Sequence, residues 1–338
     1  MLRSIEYFRA FAIIFIVAGH FFYISGIEPS GLLEQTIQNI IYGGTTLFVF
    51  ISGFLFHHVF YINFYYKRFI KKKIKVIVLP YIVFSLIPVA YYAIKNINSH
   101  LYFDVDFFNY AALSLKYLVT GSGLQIYWYI PFIMVVFLLS PLFITFIRVT
   151  LSWKVLLMAT LLINACIMHR PLLNYNVFQS LFYFTPVFLI GITASIYKNQ
   201  IYLSLNNKAY YLLGIVFLLA LLQAYFGHVG SYHKAPFEYS GLDLMLIQKI
   251  TLSFFLMAWL HKFEHTKNKL LGIIAATSFT IYFMHALLLW AITSVHFKLN
   301  GTWLLYILLV AAVVTICASS ALVIKKITSK YSRYLIGY

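Results

Sequence analysis

Charged residues are scarce in this chain, and acidic residues are the scarcest. Only 10% of the 338 residues are charged, and 8 acidic residues stand against 25 lysines and arginines. A soluble domain carries roughly a quarter charged residues. Together with 62% hydrophobic and 20% aromatic residues, this scarcity excludes a soluble globular protein. The composition predicts an integral membrane protein.

Cysteine is nearly absent as well. The two cysteines, Cys166 and Cys317, both lie inside apolar runs, and their separation is unlike that of metal ligands. We therefore expect neither a disulfide nor a metal site. Both thiols are interpreted as small apolar side chains.

Long apolar runs, by contrast, recur ten times. Each has about 17 to 25 residues, the length of helix that crosses roughly 30 Å of hydrocarbon. The predicted spans are 6–26, 40–62, 74–94, 126–148, 153–169, 177–197, 209–227, 241–260, 270–294 and 303–324. The fifth is short and contains Asn164, so a re-entrant or half-buried segment is the alternative there. The sequence predicts an all-α, polytopic membrane protein of about ten transmembrane helices, with a single domain over 1–338 and no appended soluble domain.

Basic residues are distributed unevenly between the loops on the two sides. With a cytoplasmic N-terminus, nineteen of the 25 lie in inner segments and five in outer ones, and Lys249 lies within a span. Because positively charged loops stay in the cytoplasm, both termini are predicted to be cytoplasmic in a cell membrane. The net charge of +17 comes from these short clusters. We therefore expect them to contact the lipid bilayer and not nucleic acid.

Arg9 and His20 lie in the first span, where hydrocarbon penalises both side chains. Eleven residues make close to three helical turns, so the two side chains face the same way, about 16 Å apart along the axis. In one interpretation Arg9 snorkels and His20 is a helix-contact residue; in the other, both line a functional cleft. Glu6, three residues before Arg9, is a possible partner for it.

A second intramembrane histidine, His285, lies in the ninth span. Its predicted depth is about 22 Å from the inner surface, against roughly 20 Å for His20. Tyr282 and Ser278 share its helix face. If the first and ninth helices are neighbours, both histidines line one polar site toward the outer leaflet.

The second span has an unusually small and hydroxylated face, from GGTT at 43–46 to Ser52 and Gly53. Two interpretations are open. Small residues permit close packing of helices in a membrane. They also expose backbone beside a ligand.

The segment YKRFIKKKIKVIVLPY carries six cations within nine residues at the predicted inner surface. Such a run is typical of a topology determinant or a contact with anionic lipid. It is also suited to the phosphates of a cytosolic cofactor, with Arg68 making bidentate contacts and Lys72, Lys73 and Lys75 acting as point charges.

Trp128 and Tyr129 lie at the predicted outer edge of the fourth span. There they fit an aromatic belt or, alternatively, a platform for stacking a sugar. Lys249 lies deep in the eighth span, and we expect an acidic or polar partner for it in the same cavity.

Several motifs then occur in a familiar order. They are Arg9 with His20, FVFISGF in the second span, the basic run ending in PY at 80–81, YWYIPFIMVVFLLSPLF in the fourth span, FYFTPVFLIGI in the sixth and SFTIYFMH in the ninth. Over nearly the whole chain this order resembles the acyltransferase 3 family of integral membrane O-acyltransferases. Glu6 and Phe279 are mild departures, since the family often has aspartate and tyrosine there.

The resemblance implies transfer of an acyl group, usually acetyl from cytosolic acetyl-CoA, to a hydroxyl of a carbohydrate such as an exopolysaccharide or a lipid-linked glycan. His20 is then the expected general base, and His285 and Tyr282 orient the acceptor or stabilise the oxyanion. The donor is expected at Arg9, Arg68, Lys72, Lys73 and Lys75, and the acceptor at Ser52, Trp128, Tyr129 and Lys249. Direct transfer and an acyl-enzyme intermediate are both open.

A transporter or flippase for a glycan is the alternative function. Ten helices with intramembrane His, Lys and Asp would also suit a proton relay or a transport site. Paired broken helices in matching halves, which many transporters have, are not evident in the sequence.

Overall fold

The computed structural model describes residues 2–99, 107–124, 126–174 and 176–338, and these residues are almost entirely helical. The helices are α1 (Arg3–Phe21), α2 (Leu32–Ile41), α3 (Gly44–Leu55), α4 (Tyr66–Lys73), α5 (Leu79–Ser99), α6 (Phe107–Thr120), α7 (Tyr129–Leu138), α8 (Ser140–Arg148), α9 (Leu151–Met168), α10 (Val177–Ile196), α11 (Lys198–Leu205), α12 (Ala209–Tyr225), α13 (Leu244–His261), α14 (Lys269–Ser294), α15 (Trp303–Thr328) and α16 (Ser332–Leu335). Two short strands, β1 (Arg170–Pro171) and β2 (His233–Lys234), pair in parallel.

The predicted class is confirmed: the chain is an all-helical, multi-pass membrane protein. Within the described ranges, eight helices are long and apolar enough to cross a membrane, and the number rises to ten if each of two bent helix pairs is one span. The second span begins earlier than predicted, because α2 precedes α3. The segment 95–125, between the third and fourth predicted spans, contains the short helix α6, and its residues 100–106 and 125 lie outside the described residues.

The fifth predicted span, for which a re-entrant segment was the alternative, is the continuous helix α9. The fourth span differs in shape from the prediction. The fourth is broken into α7 and α8, which meet at an angle of 56° beside Leu139. Pro141 at the start of α8 has no N–H to continue the hydrogen-bond ladder of α7, which accounts for the break.

Helix α1 lies at the centre of the bundle, in contact with α3, α13, α14 and α15. It is apolar on nearly every side, as a helix surrounded by other helices should be. Helix α9, by contrast, is mostly exposed at the edge, where its leucines and isoleucines would face lipid. The polar groups of α1 therefore point at other helices and not at the bilayer.

The first turn of α1 is fixed by the loop between α13 and α14. The carboxylate of Glu264 accepts hydrogen bonds from the backbone N–H groups of Arg3 and Ser4, both at 2.8 Å. The hydroxyl of Tyr7 donates to the carbonyl of Thr266 at 2.6 Å. Since α14 begins just after this loop, α1 and α14 start at the same side and run parallel. Burial acts to raise the pKa of Glu264, but these hydrogen bonds hold it below its usual value.

We expect a reporter fused after Tyr338 to be active only when it is of a kind that works in the cytoplasm. The excess of basic residues in the segments assigned to the inner side is the physical reason. Activity of a periplasmic-type or extracellular reporter at that position would overturn the orientation. An impermeant label on a cysteine placed at Lys298 of intact cells is the complementary measurement, and labelling is expected there.

Candidate active site

His20 and His285 meet at the contact between α1 and α14. The Nδ1 atom of His20 lies 3.1 Å from Nε2 of His285, and the two rings are stacked with centroids 5.3 Å apart. Equal depth in the sequence thus corresponds to direct contact in the structure. His285 is fully buried, whereas His20 is half-buried and faces open space.

The hydrogen bonds define which ring nitrogens carry protons when both histidines are neutral. The Nδ1 atom of His285 is 2.8 Å from the carbonyl oxygen of Ile281, so it must be the protonated donor. Its Nε2 is then an acceptor, and Nδ1 of His20 donates to it. The Nε2 atom of His20 is left with a free lone pair. This is the form a general base requires.

Arg9 also lies at the contact between α1 and α14. It is closer than the two histidines to the first turn of each helix. Its guanidinium donates from Nη2 to the carbonyl of Ala275 and, at 3.0 Å, to the hydroxyl of Ser278. The proposed pairing with Glu6 is absent among the ion pairs of the described residues. Arg9 therefore joins the two helices that carry the histidines.

A cavity of about 950 Å³ opens at the end of the bundle opposite the first turn of α1. His20 lies on its wall, together with Gly43, Gly44 and Thr45 at the start of α3. Segments that the topology assigns to the outer side form its rim, including 122–124, 172–174 and 229–231. We call this the outer cavity. Its size suits a sugar unit of a larger glycan.

A narrow apolar extension of the outer cavity continues inward past His20. Phe48, Phe279 and Tyr282 line it, and Trp128 lines both spaces. His20 thus lies at the junction of a wide outer space and a narrow inner one.

The aromatic residues predicted to bind substrate have distinct positions. Trp128 is a buried part of the cavity wall, stacked on Phe184 with ring centroids 5.8 Å apart. Tyr129 lines the narrow extension. Its hydroxyl is 3.5 Å from the hydroxyl of Ser52, which lies behind Tyr129 and does not line the extension. The role of these residues in binding an acceptor stays a prediction.

Lys249 is fully buried but does not line the outer cavity. Its ammonium donates to the backbone carbonyls of Asn39 and Ile40, at 3.2 and 2.6 Å. These carbonyls belong to the end of α2, where the chain turns at Gly43 into α3. The polar partner expected for Lys249 is therefore backbone, and its contact with a substrate stays untested.

The hydroxyl proton of Tyr282 is used in a hydrogen bond to the backbone. It donates to the carbonyl of Ile126 at 2.6 Å, which holds the ring across the narrow extension. In this arrangement Tyr282 shapes the path beside His20. Donation to an oxyanion, the other predicted role, requires this hydrogen bond to break.

At the inner surface, the basic run is helical and only part of it forms a pocket. Arg68, Lys71, Lys72 and Lys75 have helical spacing and line an open pocket of about 350 Å³. We call this the basic pocket, and Arg333 from α16 completes it. Arg68 and Lys72 also line a neighbouring pocket of about 230 Å³.

Lys73, which was predicted as a donor ligand, points to the other side of its helix. Its ammonium lies over the rings of Phe60, Phe69 and Phe137, at 4.5, 5.2 and 4.2 Å from the centroids. Cation–π contacts of this kind anchor the helix to α7. Lys73 does not line either inner pocket, so its predicted contact with a donor finds no geometric support here.

Some residues of both spaces were not singled out from the sequence. Arg170, Asn174, Ser231 and His233 line the outer cavity, and Arg333 lines the basic pocket. They lie in loops or in a terminal segment, where neither periodicity nor span depth gives a position. The described ranges contain no group of three or more His, Cys, Asp or Glu side chains placed to hold a metal ion.

Comparison with known proteins gives one match. The family described as Acyltransferase domain, the acyltransferase 3 family, matches residues 2–322, which is nearly the whole chain. No curated protein and no solved structure matches. The chain belongs to the acyltransferase 3 family, and it is a multi-pass membrane acyltransferase.

Proposed function

We propose that the protein transfers a short acyl group, such as acetyl, from cytosolic acyl-CoA to a hydroxyl of a cell-surface or lipid-linked carbohydrate on the outer side of the membrane. The observation that carries the proposal is the position of His20. Its free Nε2 belongs to a side chain that lines both the outer cavity and the narrow extension. A hydroxyl from one side and an acyl carbon from the other can meet there.

In the direct reaction, Nε2 of His20 takes the proton of the acceptor hydroxyl as its oxygen attacks the thioester carbonyl. The carbon–sulfur bond then breaks, and the thiolate of CoA leaves. The thiolate takes up the proton that His20 has held. The products are an O-acyl ester and free CoA. In the alternative, Nε2 of His20 first attacks the thioester carbonyl, the carbon–sulfur bond breaks and the thiolate of CoA leaves. The acceptor hydroxyl then attacks the acyl-imidazole, the carbon–nitrogen bond breaks to release His20, and the hydroxyl proton ends on the CoA thiolate.

His285 acts through His20 and is therefore a positioning residue. Its Nδ1 donates to Ile281 and its Nε2 accepts from His20, so the His20 ring is held in one tautomer and one orientation. As His20 becomes positively charged, the same acceptor stabilises its Nδ1–H. His285 thus has a part like that of the carboxylate in a catalytic triad, and the carbonyl of Ile281 fixes its tautomer.

The donor enters this scheme from the inner side. The basic pocket brings together five cations, Arg68, Lys71, Lys72, Lys75 and Arg333, with no acidic residue among its lining. Charges of this density suit the phosphates of CoA. The acyl end must then reach the narrow extension from the inner side.

The segment that carries Arg333 reaches from the basic pocket to residues beside the narrow extension. Ile336 is buried, and its carbonyl accepts a hydrogen bond at 2.8 Å from Thr280 of α14. Gly337 packs on the ring of Phe279, which itself lines the narrow extension. The position of Arg333 at the inner surface is therefore set by contacts with α14 close to the site.

Neutralising the basic pocket should weaken the use of acyl-CoA. Each charge-assisted hydrogen bond to a phosphate contributes about 1.5–3 kcal/mol, so we expect Arg68→Gln or Arg333→Gln to raise the KM for acyl-CoA by about tenfold or more. The measurement is acyl transfer by purified protein in lipid at varied donor concentration. The KM for the acceptor should stay unchanged.

Lys326→Gln is the matched control, because it removes an exposed cation of the same inner surface that does not line the basic pocket. If Arg68→Gln, Arg333→Gln and the control all keep the wild-type KM, the basic pocket does not bind the donor. Its cations would then act only in topology and lipid contact.

A further inference from the structure

Among the described residues, the wall of the outer cavity has one fixed positive charge and no negative one. Arg170 is only 8% exposed, and no Asp or Glu of the described part of the chain lines the cavity. No carboxylate of the described residues lies within 4 Å of its guanidinium. Arginine is rarely buried to this extent without an anionic partner.

The guanidinium is held rigidly, with donors to spare. It donates from Nη1 to the hydroxyl of Ser231 at 2.8 Å and from Nη2 to the side-chain oxygen of Asn174 at 2.9 Å. Its flat face lies over Trp128, 5.3 Å from the ring centroid. The buried Nε has no hydrogen-bond partner among the described residues. Two of its five N–H groups are thus engaged, and three are not.

The nearest acidic group lies behind the cavity wall and is engaged elsewhere. Asp243 accepts hydrogen bonds from the hydroxyl of Tyr183 at 2.8 Å and from the backbone N–H of Leu246 at 2.9 Å. It acts on Arg170 only at longer range. The side of the guanidinium that faces the cavity is therefore not neutralised.

His233, on the neighbouring strand β2, adds a neutral polar group to the same wall. Burial and the charge of Arg170 lower the pKa of His233 to about 4, so its imidazole is uncharged at neutral pH. Its Nδ1 lies 2.8 Å from the carbonyl of Pro171 and donates to it, which leaves Nε2 as an acceptor. The wall thus combines a cation for an anionic group with an acceptor for a hydroxyl.

We propose that the acceptor is an acidic glycan, whose carboxylate or phosphate binds Arg170 while one of its hydroxyls lies at His20. This inference rests on the acyltransferase function proposed above and names its substrate class. A guanidinium held in one plane is suited to bidentate binding of either oxyanion. Because Arg170 itself is largely shielded from solvent, its charge should discriminate between acidic and neutral sugars.

The test compares three related sugars, one neutral, one with a carboxylate and one with a phosphate. Glucose, glucuronate and glucose 1-phosphate are each titrated, up to tens of millimolar, into wild-type protein in lipid nanodiscs, and binding is followed by calorimetry or thermal shift. We expect one or both acidic sugars to bind about tenfold or more tightly than glucose, the effect of one charge-assisted hydrogen bond. A preference for glucuronate alone identifies a uronate, and one for glucose 1-phosphate alone identifies a phosphorylated glycan.

Arg170→Gln should abolish this preference, and Arg170→Lys should keep part of it. The ratio of affinities within one variant is the readout, because a loss of folding affects all three sugars alike. Lys298→Gln is the control, since it removes an outer cation that does not line the cavity. Equal affinity of wild-type protein for the three sugars, no binding of any, or an unchanged ratio in Arg170→Gln overturns the inference.

Acyl transfer, measured separately, distinguishes this failure from failure of the proposed function. Transfer from acetyl-CoA to glucose as fast as to glucuronate would overturn the acidic acceptor and leave the acyltransferase function standing. Selective binding of acidic sugars by a protein that never cleaves acyl-CoA would leave the anion site standing and overturn the function.

Discussion

Replacing His20 by glutamine should lower the rate of acyl transfer by about 10² to 10⁴, the usual contribution of a general base. Glutamine preserves much of the side-chain volume and can still donate to Nε2 of His285, but it has no basic lone pair to accept a proton. The measurement is ester formation by purified protein in lipid, supplied with acetyl-CoA and a glycan acceptor. The KM for acetyl-CoA should change little, because the phosphates bind elsewhere.

Two further variants serve as a comparison and a control for this result. His285→Ala should lower the rate less than His20→Ala, since it removes only the orientation of the His20 ring. His265→Gln, an exposed histidine in the loop between α13 and α14, should leave transfer unchanged. Wild-type activity in a folded His20→Gln variant would remove His20 from the mechanism. If wild-type protein turned over no acyl-CoA at all, the transporter alternative would gain support.

Replacing Gly53 by alanine should destabilise the protein by about 3 kcal/mol or more, the upper range for overpacking. A Cβ at Gly53 would lie 2.0 Å from the backbone oxygen of Phe188 in α10. The contact is reciprocal, because a Cβ at Gly191 of α10 would lie 2.1 Å from the oxygen of Phe50 in α3. Neither backbone can move without the other, so the two helices must separate. Thermal unfolding in detergent is the measurement, and a markedly lower melting temperature is expected.

Gly214→Ala and Gly272→Ala are the matched controls. Both glycines lie within helices, α12 and α14, with no atom within 4 Å of an added Cβ. Alanine there should be neutral or stabilising by up to about 1 kcal/mol, through its higher helix propensity. A Gly53→Ala variant that melts like wild type would show that α3 and α10 are farther apart than described.

This glycine pair also separates the two interpretations of the small face of the second span. Its inner part, at Gly53, serves close packing of helices. Its outer part, at Gly43 and Gly44, lines the outer cavity, and Gly44 also packs closely on α1, since an added Cβ would lie 3.0 Å from the backbone nitrogen of Ile16. The sequence offered both interpretations for the whole segment, and no local signal marks where one ends. The difference arises because α10 covers only the inner part.

The sequence by itself determined the class, the number of spans and the depth of the polar groups. Hydrocarbon requires long apolar helices, and the rise per residue converts position into depth. His20 and His285 could therefore be placed at one level before any contact was known. The positive charge of the basic run was equally evident, since it follows from composition alone.

Only the tertiary structure decided which groups meet. That α1 and α14 are neighbours depends on packing between residues more than 250 positions apart, as in the contact of Glu264 with Arg3. The same holds for the direction of Lys73 toward aromatic rings and for the backbone partners of Lys249. Arg170 and Arg333 take their places from loop and terminal contacts, which have no periodicity to read. Side-chain type and depth are local properties, whereas a site is a set of distances between distant segments.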